Sequence, residues 1–440
     1  MLNSSKIAKQ QGFHGLYVES QCKENPYFQF FIGLEGYRDD KVPFDPSLMV
    51  HFRKRLDKET MMAINELICQ QEKQQVEADV ENENKKSKDP QDPGEPPVSG
   101  GSQDGMTKTT QQTHKGKLLL DATCAPADVR YPTDLSLLNE AREKTEAMID
   151  TLYHVNLGLK KKPRTYRKKA RKQYLTVAKQ RKPQSKTIRK AIGKQLGYVG
   201  RNLKTIDYLL GLEGHGSLSR RQSQTLETIR TLYQQQRTMY TLKRHQVDDR
   251  IVSINQPHIR PIVRGKAKAS TEFGAKVAIS MVDGYMVVDE LSWDPFNESV
   301  NLEQAVEDYK KRFGYYPEAV LADQIYRNRD NRAFCKKNGI RLSGPALGRP
   351  KAGEAKKKEQ LELQDMSQRN QVEGGFGVGK RRYGLGRIMA RLKETAESVI
   401  VLQFIVMNLE HRLRVLFYHF YVFFLRRIQG LLKLSWPVMN

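Results

Sequence analysis

The sequence predicts a mixed α/β fold: a sheet with helices on its faces, a helical insertion, a helical N-terminal region and a helical C-terminal segment. Two short apolar runs each end in a carboxylate, LLLD at 118–121 and AVLAD at 319–323. An Asp283-Gly284 pair, the strongest short hairpin signal, joins two strand-like runs, EFGAKVAISMV and GYMVVDELSW. Helical spacing of apolar residues fills much of the remainder.

In chain order, residues 1–70 read as a helical N-terminal region, with Leu48, Met49, Phe52 and Leu56 at helical spacing behind Asp45 or Ser47 as a cap. Residues 71–115 are polar and rich in Pro, Gly and charge, with little to bury, and read as a disordered linker. Order returns at Gly116-Lys-Leu-Leu-Leu-Asp121, a buried strand with its acid at the C-terminal end, which opens a unit expected to span 116–425. A basic helical insertion occupies about 135–250. The hairpin follows, and Leu302, Ala305, Val306, Tyr309 and Phe313 form an amphipathic helix stopped by Gly314. Ala319–Ala322 is a short strand ending in Asp323, a brief helix at 333–337 ends at Gly339, and Ile340–Ser343 is a further strand. The last third is largely helical, and 426–440 is a tail. The apolar run 415–425 (VLFYHFYVFFL) is about half a membrane span and contains His419, so it reads as a buried or partner-facing helix.

The 440 residues allow two or three folded units, and 38% hydrophobic residues suffice for packed cores. Lys and Arg total 75 against 50 acids, for a net charge of +25. Such a field favours polyanions, because each neutralised phosphate releases counterions. Cys22, Cys69, Cys124 and Cys335 are scattered with no C-x-x-C pair, which argues against a zinc ribbon or a disulfide framework and for reduced thiols. The start, MLNSSKIAKQQGFHG, lacks an apolar core of signal-peptide length. A cytoplasmic protein without a membrane partner is expected.

Cutting a phosphodiester requires charge stabilisation on both the attacking and the leaving oxygen, which two divalent ions roughly 3.5–4 Å apart supply. Mg²⁺ is hard and takes carboxylate oxygens, so such a centre needs two or three acids converging from rigid elements. Asp121 and Asp323, each ending an apolar run, are candidates, although a single strand-end Asp is as readily a turn cap or an arginine partner. Glu373 lies among Arg369, Lys380, Arg381 and Arg382, where it either neutralises cations or presents a metal while they hold phosphate. Asp128 and Asp134 compete with Asp121 for the first position, but the apolar run points to Asp121.

LLLDATCAPADVRYPTDLSLLNEAREKTE, VLADQIYRNRDNRAFCKKNGIRLSGPALGRPK and RNQVEGGFGVGKRRYGLGRIMARLKETAESV resemble the DDE transposases of bacterial insertion sequences. The nearest group is the insertion-sequence-five-like branch of the insertion-sequence-four-like class. The resemblance runs from about Asn25 onward. It implies a ribonuclease-H-like core in which Asp121, Asp323 and Glu373 bind two Mg²⁺ ions, with Mn²⁺ as substitute. It also implies cutting of the element's terminal inverted repeats, joining to target DNA, assembly as a homodimer or larger, and residence at the bacterial nucleoid. The class signature of Tyr, Arg, Glu and Lys fits Arg369, Glu373 and Lys380, with Met366 where the Tyr would stand. Relatives carry a longer N-terminal helical region, so a shortened one is expected here. Two other readings remain: a nuclease that cuts without joining, and a catalytically inactive DNA-binding derivative.

From Thr151 to Thr205 there is no acid. KKKPRTYRKKARKQY interleaves Tyr166 and Tyr174 with Lys168, Lys169, Arg171 and Lys172, as a surface tracking a DNA backbone would. A solvated helix face is the plainer alternative, but such a face normally mixes signs. Trp293 is either a base-stacking aromatic, as in similar transposases, or a core residue. His258 is a general-base candidate, a phosphate contact or neither. Gly374, Gly375, Gly377 and Gly379 lack Walker spacing, so ATP is not implied.

Overall fold

A computed structural model describes residues 15–34, 36–38, 40, 43–45, 47–48, 51, 55–70, 114–153, 159, 161–212, 216–266, 269–345 and 355–434. The expected linker at 71–115 lies outside them except for His114 and Lys115, as does most of the helix expected between Leu48 and Leu56.

Six strands form one mixed sheet. They are β1 (Lys117–Pro126), β2 (Arg260–Lys266), β3 (Ala269–Val282), β4 (Tyr285–Ser292), β5 (Ala319–Leu321) and β6 (Arg341–Leu342). β1 is central: it pairs antiparallel with β3 on one side and parallel with β5 on the other, and β6 extends the parallel side. β3 carries β2 and β4 in succession along its far edge. The β3–β4 turn is the expected one, with Asp283 and Gly284 both at positive φ (48° and 88°), as a type I′ turn requires. β2 was not expected, since its proline and arginines disguise the strand pattern; Pro at an edge position loses no ladder bond.

β1 also runs five residues past the point at which the sequence ends it. Ala122–Pro126 stay apolar enough to continue pairing with β3, Ala122 opposite Ala278 and Pro126 opposite Gly274. β5, in contrast, pairs only as far as Leu321 opposite Leu119.

Each sheet face carries a helical layer, because alternate β1 residues are apolar on both sides. One face packs Leu118 and Leu120 against α8 (Leu302–Phe313) and α9 (Arg329–Lys337), through Leu302, Val306, Tyr309 and Cys335. Gly314 at φ 77° ends α8, as expected. The other face packs Leu119, Ile279 and Leu321 against α10 (Ala355–Arg382) and α11 (Lys393–Leu434). α11 continues through Leu434, past the boundary expected at residue 425. The N-terminal helices are α1 (Gly15–Glu24), α2 (Pro26–Phe31) and α3 (58–70), and α3 adds Met61 to this same core.

Between β1 and β2 stand α4 (Asp134–Leu152), α5 (Arg167–Ala178), α6 (Ser185–Leu210) and α7 (Arg220–Leu242). α4, α6 and α7 share a hydrophobic core of their own, built on Leu138, Ile149, Val199, Ile206, Ile229 and Leu232. Thr133 and Ser219 cap α4 and α7 with capping boxes.

β4 lies at the sheet edge, and its exposed backbone is completed by side chains. Asn408 Oδ1 accepts from the Met286 N–H at 2.9 Å, and Asn408 Nδ2 donates to the Met286 carbonyl at 2.8 Å and to Asn65 Oδ1 at 2.7 Å. Asn65 Nδ2 donates to the same carbonyl at 3.0 Å. Both asparagines are buried, so α3 and α11 close the edge as another strand would. Asn408→Ala orphans the Met286 N–H and Asn65 Oδ1 in the interior. The expected loss is about 2–4 kcal/mol of stability, read as a lower urea midpoint with unchanged slope.

Candidate active site at the strand ends

The registration of β1 with β5 sets the site. Leu119 lies opposite Leu321 in a parallel pair, so two residues on, Asp121 and Asp323 stand level where β5 ends. Asp121 projects to the face that α10 covers, the same face as Leu119 and Ile279. It is partly buried, and its Oδ1 accepts from the Ala122 N–H at 2.7 Å. Asp323 is exposed; it caps the short turn Gln324–Tyr326, accepting from the Gln324 N–H at 2.7 Å.

α10 brings the third group. It is fastened to the sheet by the Arg341–Asp365 pair from β6 (2.5 and 3.0 Å), by Lys117 Nζ donating to Gln368 at 3.1 Å, and by buried Val372 and Phe376. These contacts direct the edge bearing Arg369 and Glu373, one helical turn apart, toward the strand ends. Arg369 Nη2 stands 3.4 Å from Asp323 Oδ1.

Burial pushes the Asp121 carboxyl up from its ordinary 3.8 to about 6; Glu298 and Glu373 raise it further, while the Ala122 N–H and Arg369 oppose them. Glu298, which sequence reasoning missed, therefore lies within electrostatic reach of Asp121. It opens the turn Glu298–Asn301 after β4 and pairs with Lys276 of β3 at 2.6 Å. Its sequence signal is an Asn297 cap followed by an acid, at the end of the hairpin's second strand. Buried Asn331 joins this turn to the Asp323 turn, donating to the Ser299 carbonyl (2.7 Å) and the Tyr326 carbonyl (2.9 Å). Tyr326 is buried beneath them, its hydroxyl pushed up by burial and by Glu298, Asp121, Asp289 and Asp323.

The other expected residues fall as follows. Asp128 pairs with Arg387 at 2.5 Å and Asp134 with Arg250 at 2.6 Å, so both have structural partners. Arg381 and Arg382 are exposed near the end of α10; Arg381 bonds the Gly377 carbonyl of its own helix and Arg382 lies 3.6 Å from Glu410. Lys380 lies two turns beyond Glu373. Trp293 corrects the base-stacking expectation. It is 4% exposed in the sheet core, donates to Glu397 at 2.8 Å and meets the His258 ring edge-on at 4.5 Å, so no open face remains for a base. Burial, with Lys393 and Arg260 nearby, holds His258 down at about 4, a packing partner of Trp293. Gly375 and Gly379 lie within α10, where a Cβ would come 2.9 Å from Met286 Sδ and 3.1 Å from Met407 Sδ; they serve close packing and form no phosphate loop.

On the insertion, Lys168, Lys169, Arg171 and Lys172 are all exposed, and a shallow groove of about 480 Å³ runs between α5 side chains, lined by Lys168, Arg171, Lys172 and Lys179. The two tyrosines between these cations are used internally. Arg164 and Arg201 cover the Tyr166 ring at 4.6 and 4.8 Å, and Tyr174 packs against the Leu135 and Val177 cluster.

The donor set at the strand ends, carboxylate oxygens only, suits a hard divalent ion, and the like charges around Asp121 are what such an ion relieves. Among the described residues no three His, Cys, Asp or Glu side chains converge as a finished metal cage. Arg369 provides the nearby positive charge instead.

Residues 320–410 match the family model described as the transposase DDE domain, a span that contains Asp323 and Glu373 and begins in β5. No curated protein and no solved structure matches the chain. The domain match supports a DDE transposase, with DNA as partner and the general nuclease and strand-transfer chemistry of that domain.

Asp121 holds its proton to higher pH when folded than when unfolded, so its ionisation lowers native stability as pH rises from about 3.8 to about 6. Asp121→Asn removes that cost. In EDTA, the variant is expected to gain on wild type across this window and to be more stable at pH 7 by on the order of 3 kcal/mol. Thermal melts at pH 4 and pH 7 measure the difference.

Proposed function

We propose that this chain is a DNA transposase of the insertion-sequence-five-like kind, built on a ribonuclease-H-like core, that cuts insertion-sequence ends and joins them to target DNA. One observation carries this reading: Asp121 and Asp323 stand level at the β1–β5 boundary, with Arg369 and Glu373 of α10 brought to the same edge. The transposase DDE match over 320–410 supports it, as does a sheet order of β4-β3-β1-β5-β6 with only β3 antiparallel to the central strand and β4 antiparallel to β3.

Asp121, Asp323 and Glu373 would hold Mg²⁺ ions, two in number, or Mn²⁺ in their place. Bound there, the metal would lower the pKa of an attacking water or hydroxyl and stabilise charge on the leaving oxygen. The protein's own groups divide the remaining work. Asp121, held between β3 and the end of β5, is the least mobile carboxylate and fixes the position of the centre. Asp323 is exposed and, among the described residues, its ion-pair partner is Arg369, so it can exchange that partner for an ion while Arg369 turns to a phosphate oxygen. Lys380, Arg381 and Arg382 extend positive charge along α10 for the flanking phosphates. Lys168, Lys169, Arg171 and Lys172 on α5 supply a second phosphate-binding surface. Two element ends must be cut together, so a homodimer or larger assembly acting at the nucleoid follows from this reading.

With DNA carrying the flanking element's ends and Mg²⁺, wild type is expected to nick, EDTA to abolish nicking, and Glu373→Gln or Asp323→Asn to reduce it at least about 1,000-fold with DNA affinity retained. Cleavage that survives Asp323→Asn would refute the triad. Replacing Lys168, Lys169, Arg171 and Lys172 together with Ala is expected to reduce the slope of log affinity against log salt by about 3–4, as loss of four phosphate contacts requires. An unchanged slope would remove α5 from the DNA-binding surface.

A further inference from the structure

α11 is too long for the body it packs on. From Lys393 to about Asn408 one side of the helix is buried against the sheet, with Ile400, Val401, Phe404 and Met407 in the core and Asn408 in the β4 edge network. The opposite side carries a second apolar stripe that stays exposed among the described residues. Leu402, Val406, Leu409, Leu413 and Leu416 follow at alternating steps of four and three residues, and the same alternation continues to Phe420 and Phe423. All seven are between 42 and 68% exposed. An alternation of four and three over three repeats has a period of 3.5 residues, which marks a seam between two supercoiled helices. A core-facing stripe of a single straight helix drifts from that repeat.

We propose that this seam pairs with the same seam of a second copy of the chain, making α11 the assembly helix of the protein. The inference rests on the assembly part of the reading above and names its surface. A homotypic pair always supplies a partner of matching length and period, and a two-fold interface needs a self-complementary stripe. The size is adequate. The seven seam residues, with Phe417 and Phe424 beside them and Tyr421, present on the order of 1,000 Å² of apolar surface per copy, against the roughly 800 Å² per partner of a stable interface. Single scattered apolar residues are normal on a surface, but a continuous patch of this size is an interaction site.

A lipid surface is the main competing occupant. No described helix is long and apolar enough to cross a membrane. The seam also begins at Leu402 and Val406, on a part of α11 fixed to the sheet on its other side, so its first turns cannot roll toward a bilayer independently of the body. Over 402–416 the apolar stripe is flanked by Gln403, Glu410, Arg412 and Arg414, as a helix-pairing seam is, and beyond it widens to include exposed Phe417, Tyr418, Tyr421 and Phe424.

The test is the mass of the full chain in solution, without DNA or metal, by light scattering at about 10 µM, compared with Leu413→Glu/Phe420→Glu. Both positions are exposed, so the variant should keep its circular dichroism and melting temperature. Wild type is expected at twice the 50.7 kDa of one chain and the variant at the single-chain mass, with self-association weakened at least 100-fold. Leu402→Glu/Leu409→Glu, at the body-anchored end, should do the same and serves if the first variant folds poorly. A monomeric wild type overturns the proposal, as does a dimer that both variants leave intact. A monomer that co-sediments with phosphatidylserine vesicles would assign the stripe to lipid instead. Because the readout is mass alone, loss of DNA cleavage in any variant has no bearing on it, and a dimer without cleavage would challenge only the catalytic reading.

Discussion

The site depends on one mismatch in strand length. β1 pairs with β5 over Lys117–Leu119 and with β3 from Leu119 to Pro126, so beyond Leu321 its parallel neighbour stops while β3 continues beside it. A carboxylate in the middle of a fully paired central strand, covered by helices on both faces, has no acceptable environment. At Asp121 the sheet is open on one flank, so the acid keeps the rigidity of a core strand and still reaches solvent and its neighbours. The other components are placed by reference to that gap. Asp323 is the second residue after the strand that stopped, and α10 is held across the opening by Arg341 on β6 and Lys117 on β1.

The charges around the gap differ in how firmly they are held. The Arg341–Asp365 pair is two-pronged, with Asp365 buried, and acts as structure. Lys276 and Glu298 are both largely enclosed and 2.6 Å apart, with Lys276 also donating to the Phe296 carbonyl. Arg369 and Asp323 are 3.4 Å apart, and the Asp323 side chain is 59% exposed. A pair of that kind is worth at most about 1 kcal/mol. It is therefore the weakest of these contacts, while the fastened pairs keep α10 and the Glu298 turn in register.

Much of this was legible in the sequence because it rests on short-range rules. Asp283-Gly284 specified the hairpin, Gly314 the end of α8, and apolar runs of three or four residues ended by an acid marked Asp121 and Asp323. What escaped was decided by contacts distant in sequence. β2 looks like a basic loop until β3 pairs with it. Four glycines in six residues obscured the last third of α10, yet Gly375 and Gly379 are what let that helix approach Met286 and Met407. Glu298 gave no apolar run to announce it, since its place comes from the turn that Asn331 joins to the Asp323 turn. Trp293 and Tyr166 were ambiguous because an aromatic beside cations reads alike on a surface and in a core, and only the Glu397 and Arg201 partners separate the two.

The helical insertion explains how a chain of this charge can fold around a cluster of acids. α4, α6 and α7 have their own core, so the cations of α5 are carried on a unit whose hydrophobic cluster is separate from those of the sheet. Cations that dense, placed on α8 or α9, would repel one another against the sheet and compete with Arg369 for the acids. Inserted between β1 and β2, they leave the chain just after the strand bearing Asp121 and rejoin it at the strand that borders β3. On the proposed reading, positive charge for a nucleic-acid backbone is thereby kept apart from the few cations that face the carboxylates. Binding strength and site electrostatics can then vary independently, one through α5 and the other through Arg369 and Lys276.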